Sequence, residues 1–185
     1  GARRVLNHPR KETVDQPLDM PLDRPWLQPG RVVYDERQGV FRHYYAAEIG
    51  DQQQICVHHS TDGHRWVRPN LGLVEIAGSK ANNITNCPPH ALAIFWDPHA
   101  EDEAYRWKRI DNKPRGAGPS GEPVWRAFHS RDGYDWQAYP AGPHNGQQML
   151  FNFGSPAETF GGVIDPGARY VFYSQRGSSR RTRVL

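Results

Sequence analysis

Ser60-Thr61-Asp62-Gly63-His64-Arg65-Trp66 and Ser130-Arg131-Asp132-Gly133-Tyr134-Asp135-Trp136 share one pattern, S-x-D-G-x-x-W. In each copy Ser, Asp and Gly are turn formers, and a Trp follows where a strand would begin. Two such phrases in one chain predict a modular all-β protein with one sheet per repeat. The repeat also supplies an internal alignment, which separates scaffold positions from site positions.

A second repeat underlies the first. Val32-Val33-Tyr34-Asp35 leads into Val40-Phe41-Arg42-His43-Tyr44-Tyr45, Ala93-Ile94-Phe95-Trp96-Asp97-Pro98 into Tyr105-Arg106-Trp107, and Val163-Ile164-Asp165-Pro166-Gly167 into Tyr170-Val171-Phe172-Tyr173. Each reads as a β-hairpin, because β-branched and aromatic runs flank Asp, Pro and Gly. The Asp-Gly turns follow Ile55-Cys56-Val57 and Val124-Trp125-Arg126-Ala127-Phe128. Each unit thus reads as four antiparallel strands in roughly 65 residues, the size of a propeller blade with long loops. The expected fold class is all-β, with β-propeller-type four-stranded antiparallel blades, about two and a half to three of them present. Residues 1–30 read as an irregular arm and 31–185 as a partial propeller, with blades near 31–84, 85–153 and 154–185. Propellers typically close with about 4–8 blades. A chain of this length is therefore expected to be a fragment, to take missing blades from another chain in an oligomer, or to close in an unusual way.

The composition agrees. The chain has 185 residues, 18 Gly, 16 Pro, six Trp and eight Tyr, and no apolar helical period runs for three turns. The formal charge of +3 arises mainly near the ends, from Arg3, Arg4, Arg10 and Lys11 and from Arg176, Arg180, Arg181 and Arg183. Nucleic-acid binding is not expected, since the aromatics lie in strand-like runs rather than between basic residues. No run of 18 apolar residues predicts a membrane span. The opening Gly-Ala-Arg-Arg-Val-Leu-Asn-His lacks the apolar core of a signal peptide. Cys56 and Cys87 are too few for a disulfide framework. His58-His59 has no second pair at ligand spacing, so neither metal nor cofactor is expected.

The stretch Trp66-Val67-Arg68-Pro69-Asn70-Leu71-Gly72-Leu73-Val74-Glu75, followed by Gly78-Ser79-Lys80-Ala81-Asn82-Asn83-Ile84, resembles bacterial proteins related to glycoside hydrolase families 32 and 43. The S-x-D-G-x-x-W turn and Asp23-Arg24-Pro25-Trp26 fit the same group, and the resemblance covers roughly residues 20–176. It implies a five-bladed β-propeller glycosidase superfamily, a periplasmic or secreted location, a carbohydrate partner and acidic residues converging on the propeller axis. The implied chemistry is two-carboxylate glycoside hydrolysis.

The repeat alignment chooses among the acids. Asp97 aligns with Asp35 and Asp165 in the turn between the first two strands of each unit, so it reads as a turn residue. Upstream of these turns, Asp23 and Glu158 stand near the heads of the first and third units, and the second offers Asn86 beside Asn82 and Asn83. Asp23 is the candidate base or nucleophile and Glu158 the candidate general acid. Glu122 precedes a different strand and ranks below them. Trp26, Asn82, Asn83, Asn86 and Phe160 are the candidate substrate contacts, amides for hydroxyls and rings for an apolar sugar face. Trp96 and Trp107 could serve as further stacking platforms, although core packing explains Trp107 at least as well. Trp66 and Trp136 are expected between blades. The expected function is cleavage or binding of a furanoside or related glycan. The alternative is a non-catalytic carbohydrate-binding or assembly module, favoured by the short chain and the missing middle acid.

Overall fold

The computed structural model describes residues 28–89, 93–113, 124–139, 163–164, 171–176 and 181–184. Their regular structure is all-β, with no α-helix among the described residues. A first antiparallel sheet runs β1 (Gln28–Asp35), β2 (Val40–Ile49), β3 (Gln52–Ser60) in spatial order. A second runs β4 (Ala93–Trp96), β5 (Trp107–Lys113), β6 (Val124–Ser130), β7 (Gln137–Ala138). The backbone of a third contains β8 (Val163–Ile164), β9 (Val171–Arg176) and β10 (Arg181–Val184), ordered β8-β9-β10.

The three expected hairpins are present as β1–β2, β4–β5 and β8–β9. In the first two, the aspartates build the turn. The Asp35 carboxylate accepts from the N–H groups of Arg37 at 3.0 Å and Gln38 at 3.3 Å, and Asp97 accepts from His99 N at 2.9 Å.

Both S-x-D-G-x-x-W copies close by the same bonds. Ser60 Oγ accepts from Gly63 N at 2.8 Å, and Ser130 Oγ from Gly133 N at 2.9 Å. Asp62 takes the N–H groups of His64 and Arg65, both at 2.8 Å, and Asp132 those of Tyr134 at 2.8 Å and Asp135 at 2.9 Å. Each Trp indole N–H returns to the turn glycine carbonyl, at 3.1 Å for Trp66 and 3.0 Å for Trp136. The donated N–H groups favour the ionised carboxylate and pull the Asp62 pKa down to about 2, Arg65 N contributing most.

The two turns differ in their surroundings. Trp136 is buried in the core between the first two sheets, beside Tyr44, Ala46, Ile55 and Val57 of the first and Ile94, Trp107 and Phe128 of the second. Trp66 is half-buried and lies edge-to-face with His43, with ring centroids 5.7 Å apart. The expectation of a Trp packed between sheets thus fits Trp136 and not Trp66.

A fourth strand was expected in the first repeat, but there it shrinks to one bridge between Val67 and His59. Pro69 has no N–H to continue a ladder, and Leu71 N bonds instead to Asn82 O at 2.8 Å. The chain therefore leaves β3 and folds over the outer face of the first sheet. There Ile84, Val74 and Ile76 cover Tyr45, Ala47, Ile49 and Cys56, forming a second apolar cluster.

One buried cation joins the two sheets. Arg42 on β2 is ion-paired with Asp35 and donates to the carbonyl of Asp132 in the second turn. Its guanidinium lies 4.5 Å from the Trp107 ring centroid and 4.2 Å from that of Tyr134. Tyr44 donates to Gly133 O at 3.1 Å, and the Tyr134 hydroxyl shares a 2.8 Å hydrogen bond with His59 Nε2. Burial, reinforced by the Arg42 charge, pushes the His59 pKa down to about 4, so the ring is neutral at pH 7.

Candidate functional site

The loop that folds back after Val67 builds a cavity. Its tip is a tight turn in which Ile76 N and Ser79 N bond to each other's carbonyls at 2.9 and 3.0 Å. Ala77 and Gly78 take positive φ there, 50° and 79°, as a two-residue hairpin turn requires. The return arm is stapled to β3. Asn83 donates to Val57 O at 2.8 Å and to the Tyr45 hydroxyl at 3.0 Å, and Thr85 bonds Ile55 O through both N–H and hydroxyl, each at 2.9 Å.

Between the two arms lies a cavity of about 400 Å³, within the usual range for a small-molecule site. Ile49, Pro69, Ile76, Ala81 and Ile84 form its apolar wall, and Arg68, Asn70, Ser79, Asn82 and Asn83 its polar wall. Arg68, Asn70 and Ser79 are exposed, Asn82 is half-buried and Asn83 is buried. A guanidinium, amides and a hydroxyl over an aliphatic floor suit a ligand with hydroxyls on one face and C–H groups on the other.

The five candidate substrate contacts separate. Asn82 and Asn83 share the cavity wall, but their amide groups also hold the loop. Asn82 donates to Val74 O at 2.8 Å and accepts from Ile84 N at 3.1 Å. Asn86 lies elsewhere, at the junction of the sheets. Its amide donates to Asp135 and accepts from Trp136 N at 2.6 Å. Asp23, Trp26, Glu158 and Phe160 lie outside the described residues, as does Glu122.

The other acids, rings and nucleophiles weighed from sequence have structural environments. Asp97 is buried and ion-paired with Lys108. Trp107 is buried under Arg42, and Trp96 is half-buried with Arg106 5.7 Å from its ring centroid. His58 stacks on Tyr45 at 4.6 Å and His43 at 6.0 Å. No group of three or more His, Cys, Asp or Glu that could hold a metal occurs among the described residues. Cys56 and Cys87 are buried free thiols. Burial pushes Cys56 up to about 12, so it is no thiolate nucleophile at pH 7.

Arg68 and Asn70 complete the polar wall and were not chosen from sequence. Their signal was positional, since Arg68-Pro69-Asn70 follows the first Trp in a segment with no counterpart after Trp136. Comparison with family models, characterised proteins and solved structures gave no match for this chain.

Proposed function

We propose that this chain binds a glycan, a furanoside or related sugar, in the cavity of the 67–84 loop, and that its sheets are blades of a glycosidase-type propeller. The cavity carries the proposal. It offers Arg68, Asn70 and Ser79 to sugar hydroxyls above the isoleucine floor, and no acidic residue is among its described lining. Hydrolysis needs a general acid paired with a base or nucleophile, so this wall is suited to holding a sugar rather than cutting it. The propeller reading is supported by two successive antiparallel sheets packed face to face, built from the same turn and the same hairpin. Cleavage, with Asp23 as base or nucleophile and Glu158 as acid, rests on the resemblance of the 66–84 stretch to families 32 and 43.

The test is calorimetric titration of the chain with a panel of furanoside and pyranoside oligosaccharides. At least one furanoside is expected to bind, and Arg68→Ala or Asn70→Ala to weaken it about tenfold or more, the loss of one or two hydrogen bonds to the ligand. Binding that ignores both substitutions, or no binding across the panel, overturns the assignment. Reducing-sugar release abolished by Glu158→Gln and by Asp23→Asn would add cleavage to binding.

A further inference from the structure

Beside the cavity, the outer face of the first sheet carries a file of aromatic rings. On β1, Val33 packs against the core between the sheets, so Val32 and Tyr34 stand on the opposite side. Across the ladder Tyr34 pairs with Phe41 and Val32 with His43. The ring centroids of Tyr34 and Phe41 lie 4.9 Å apart, and those of His43 and Trp66 5.7 Å. Val32 is 51% exposed, Tyr34 48% and Val67 63%, while Phe41, His43 and Trp66 are half-buried.

The file joins the cavity at two points. Val67 precedes Arg68, which lines the cavity. Tyr45 stacks on His43 at 5.6 Å, and its hydroxyl accepts from Nδ2 of Asn83, a cavity residue, at 3.0 Å. The stretch of β2 from Phe41 to Ile49 in the cavity wall is about 27 Å long, several times the length of one sugar ring.

We propose that this face binds an oligosaccharide, with one sugar unit in the cavity and the following units laid over Val67, Trp66, His43, Phe41 and Tyr34. The inference rests on the glycan reading of the cavity and specifies its ligand as a chain rather than a single sugar. The file itself selects a glycan as occupant. Its rings offer flat apolar surface to the C–H faces of sugars, and the Tyr34 hydroxyl and the His43 nitrogens offer partners to their hydroxyl groups. It is also narrow. One Tyr and two Val, each exposed by about half, leave roughly a few hundred Å² of apolar surface, against about 800 Å² per partner in a stable protein interface. The rings are tilted, by 50° between Tyr34 and Phe41 and 69° between His43 and Trp66. A flat polymer surface cannot lie on all of them, whereas a flexible chain can turn each sugar face to its own ring.

Calorimetric titration with fructofuranosyl and arabinofuranosyl series, from disaccharide to hexasaccharide, is the test. Affinity is expected to climb with length, one hexasaccharide binding about tenfold or more tighter than its disaccharide. Tyr34→Ala and, separately, Trp66→Ala should each weaken the hexasaccharide about threefold or more and leave the disaccharide unchanged. Arg68→Ala should weaken every length. Unchanged disaccharide binding also shows that a variant is folded. Equal affinity at all lengths, or hexasaccharide binding indifferent to Tyr34→Ala, overturns this inference and leaves the cavity reading standing. Absence of binding at every length overturns the cavity reading and this inference with it. Light scattering after size exclusion tests the other occupant. The wild-type chain is expected to be a monomer; a dimer that Tyr34→Lys returns to monomer gives the face to a second copy and overturns the proposal.

Discussion

Gly63→Ala and Gly133→Ala make the same chemical change at equivalent positions, so their difference isolates the seating of the second turn. Both glycines have left-handed backbone, φ 76° and 80°. An alanine at either carries the same intrinsic strain, about 1–2 kcal/mol. At Gly63 that is the whole cost, because the new methyl meets nothing within 4 Å. At Gly133 the methyl would lie 2.7 Å from Arg42 Nη1 and Tyr44 Oη and 3.0 Å from Trp107 Cδ2. All three partners are buried, and Arg42 is held by Asp35 on its other side. Overpacking of this kind adds about 1–3 kcal/mol, and displacing Tyr44 from Gly133 O forfeits about 1 kcal/mol more. The expected totals are about 1–2 kcal/mol for Gly63→Ala and about 3–6 kcal/mol for Gly133→Ala. Urea unfolding followed by tryptophan fluorescence measures both. Equal losses, within about 0.5 kcal/mol, would refute the seating of the second turn between the sheets.

Two further outcomes test the same junction. Asp35→Asn leaves the Arg42 guanidinium buried without its counter-charge and is expected to cost about 3–5 kcal/mol, whereas the double change Asp35→Leu with Arg42→Met should recover much of that loss; urea midpoints of the three chains decide it, and a double variant as unstable as the single one counts against the pair acting as a unit. Stability should fall as the solution is acidified from pH 6.5 towards 4, because burial, then His58 for His43 and Arg42 for His59, lowers both histidines from 6.5 to about 4. In that window the unfolded chain binds more protons than the folded one, so the contribution is complete above pH 6.5 and lost by about pH 4. Urea midpoints at intervals from pH 7.5 to 4.5 should show the slope, a His59→Asn chain should show less of it, and a flat wild-type profile would rule it out.

The parts of the fold legible in the sequence were those fixed by local chemistry. Asp35 and Asp97 could be read as turn residues because a short carboxylate beside small or polar neighbours binds its own backbone. Ser60, Asp62 and Gly63 could be read the same way. What could not be read locally was which copy of a repeated phrase would be buried. Trp66 and Trp136 sit in nearly the same words, yet only Trp136 joins the core between the sheets, its turn held by Arg42 and Tyr44, strand residues about ninety positions away in sequence. The asparagines show the same limit. Asn82, Asn83 and Asn86 are alike in sequence, and tertiary contacts alone assign the first two to the cavity wall and the third to Trp136 N.

The same reasoning says where to look for a site in a repeated fold. Residues that recur at equivalent positions, such as Asp35 with Asp97, Ser60 with Ser130 and His59 with His129, are occupied with the scaffold in both copies. The cavity is built by what does not recur. After Trp136 the chain runs straight into the two-residue β7, whereas after Trp66 Pro69 breaks the ladder and sends Arg68 and Asn70 across from Asn82 and Asn83. Substituting Pro69 with a residue that has an N–H would let β3 gain a longer partner strand and draw Arg68 out of the cavity wall. A chain altered only there should keep its urea midpoint and lose the furanoside binding proposed for the cavity, read by calorimetric titration. That pairing of outcomes separates a site made by the departure from the repeat from one made by the repeat itself.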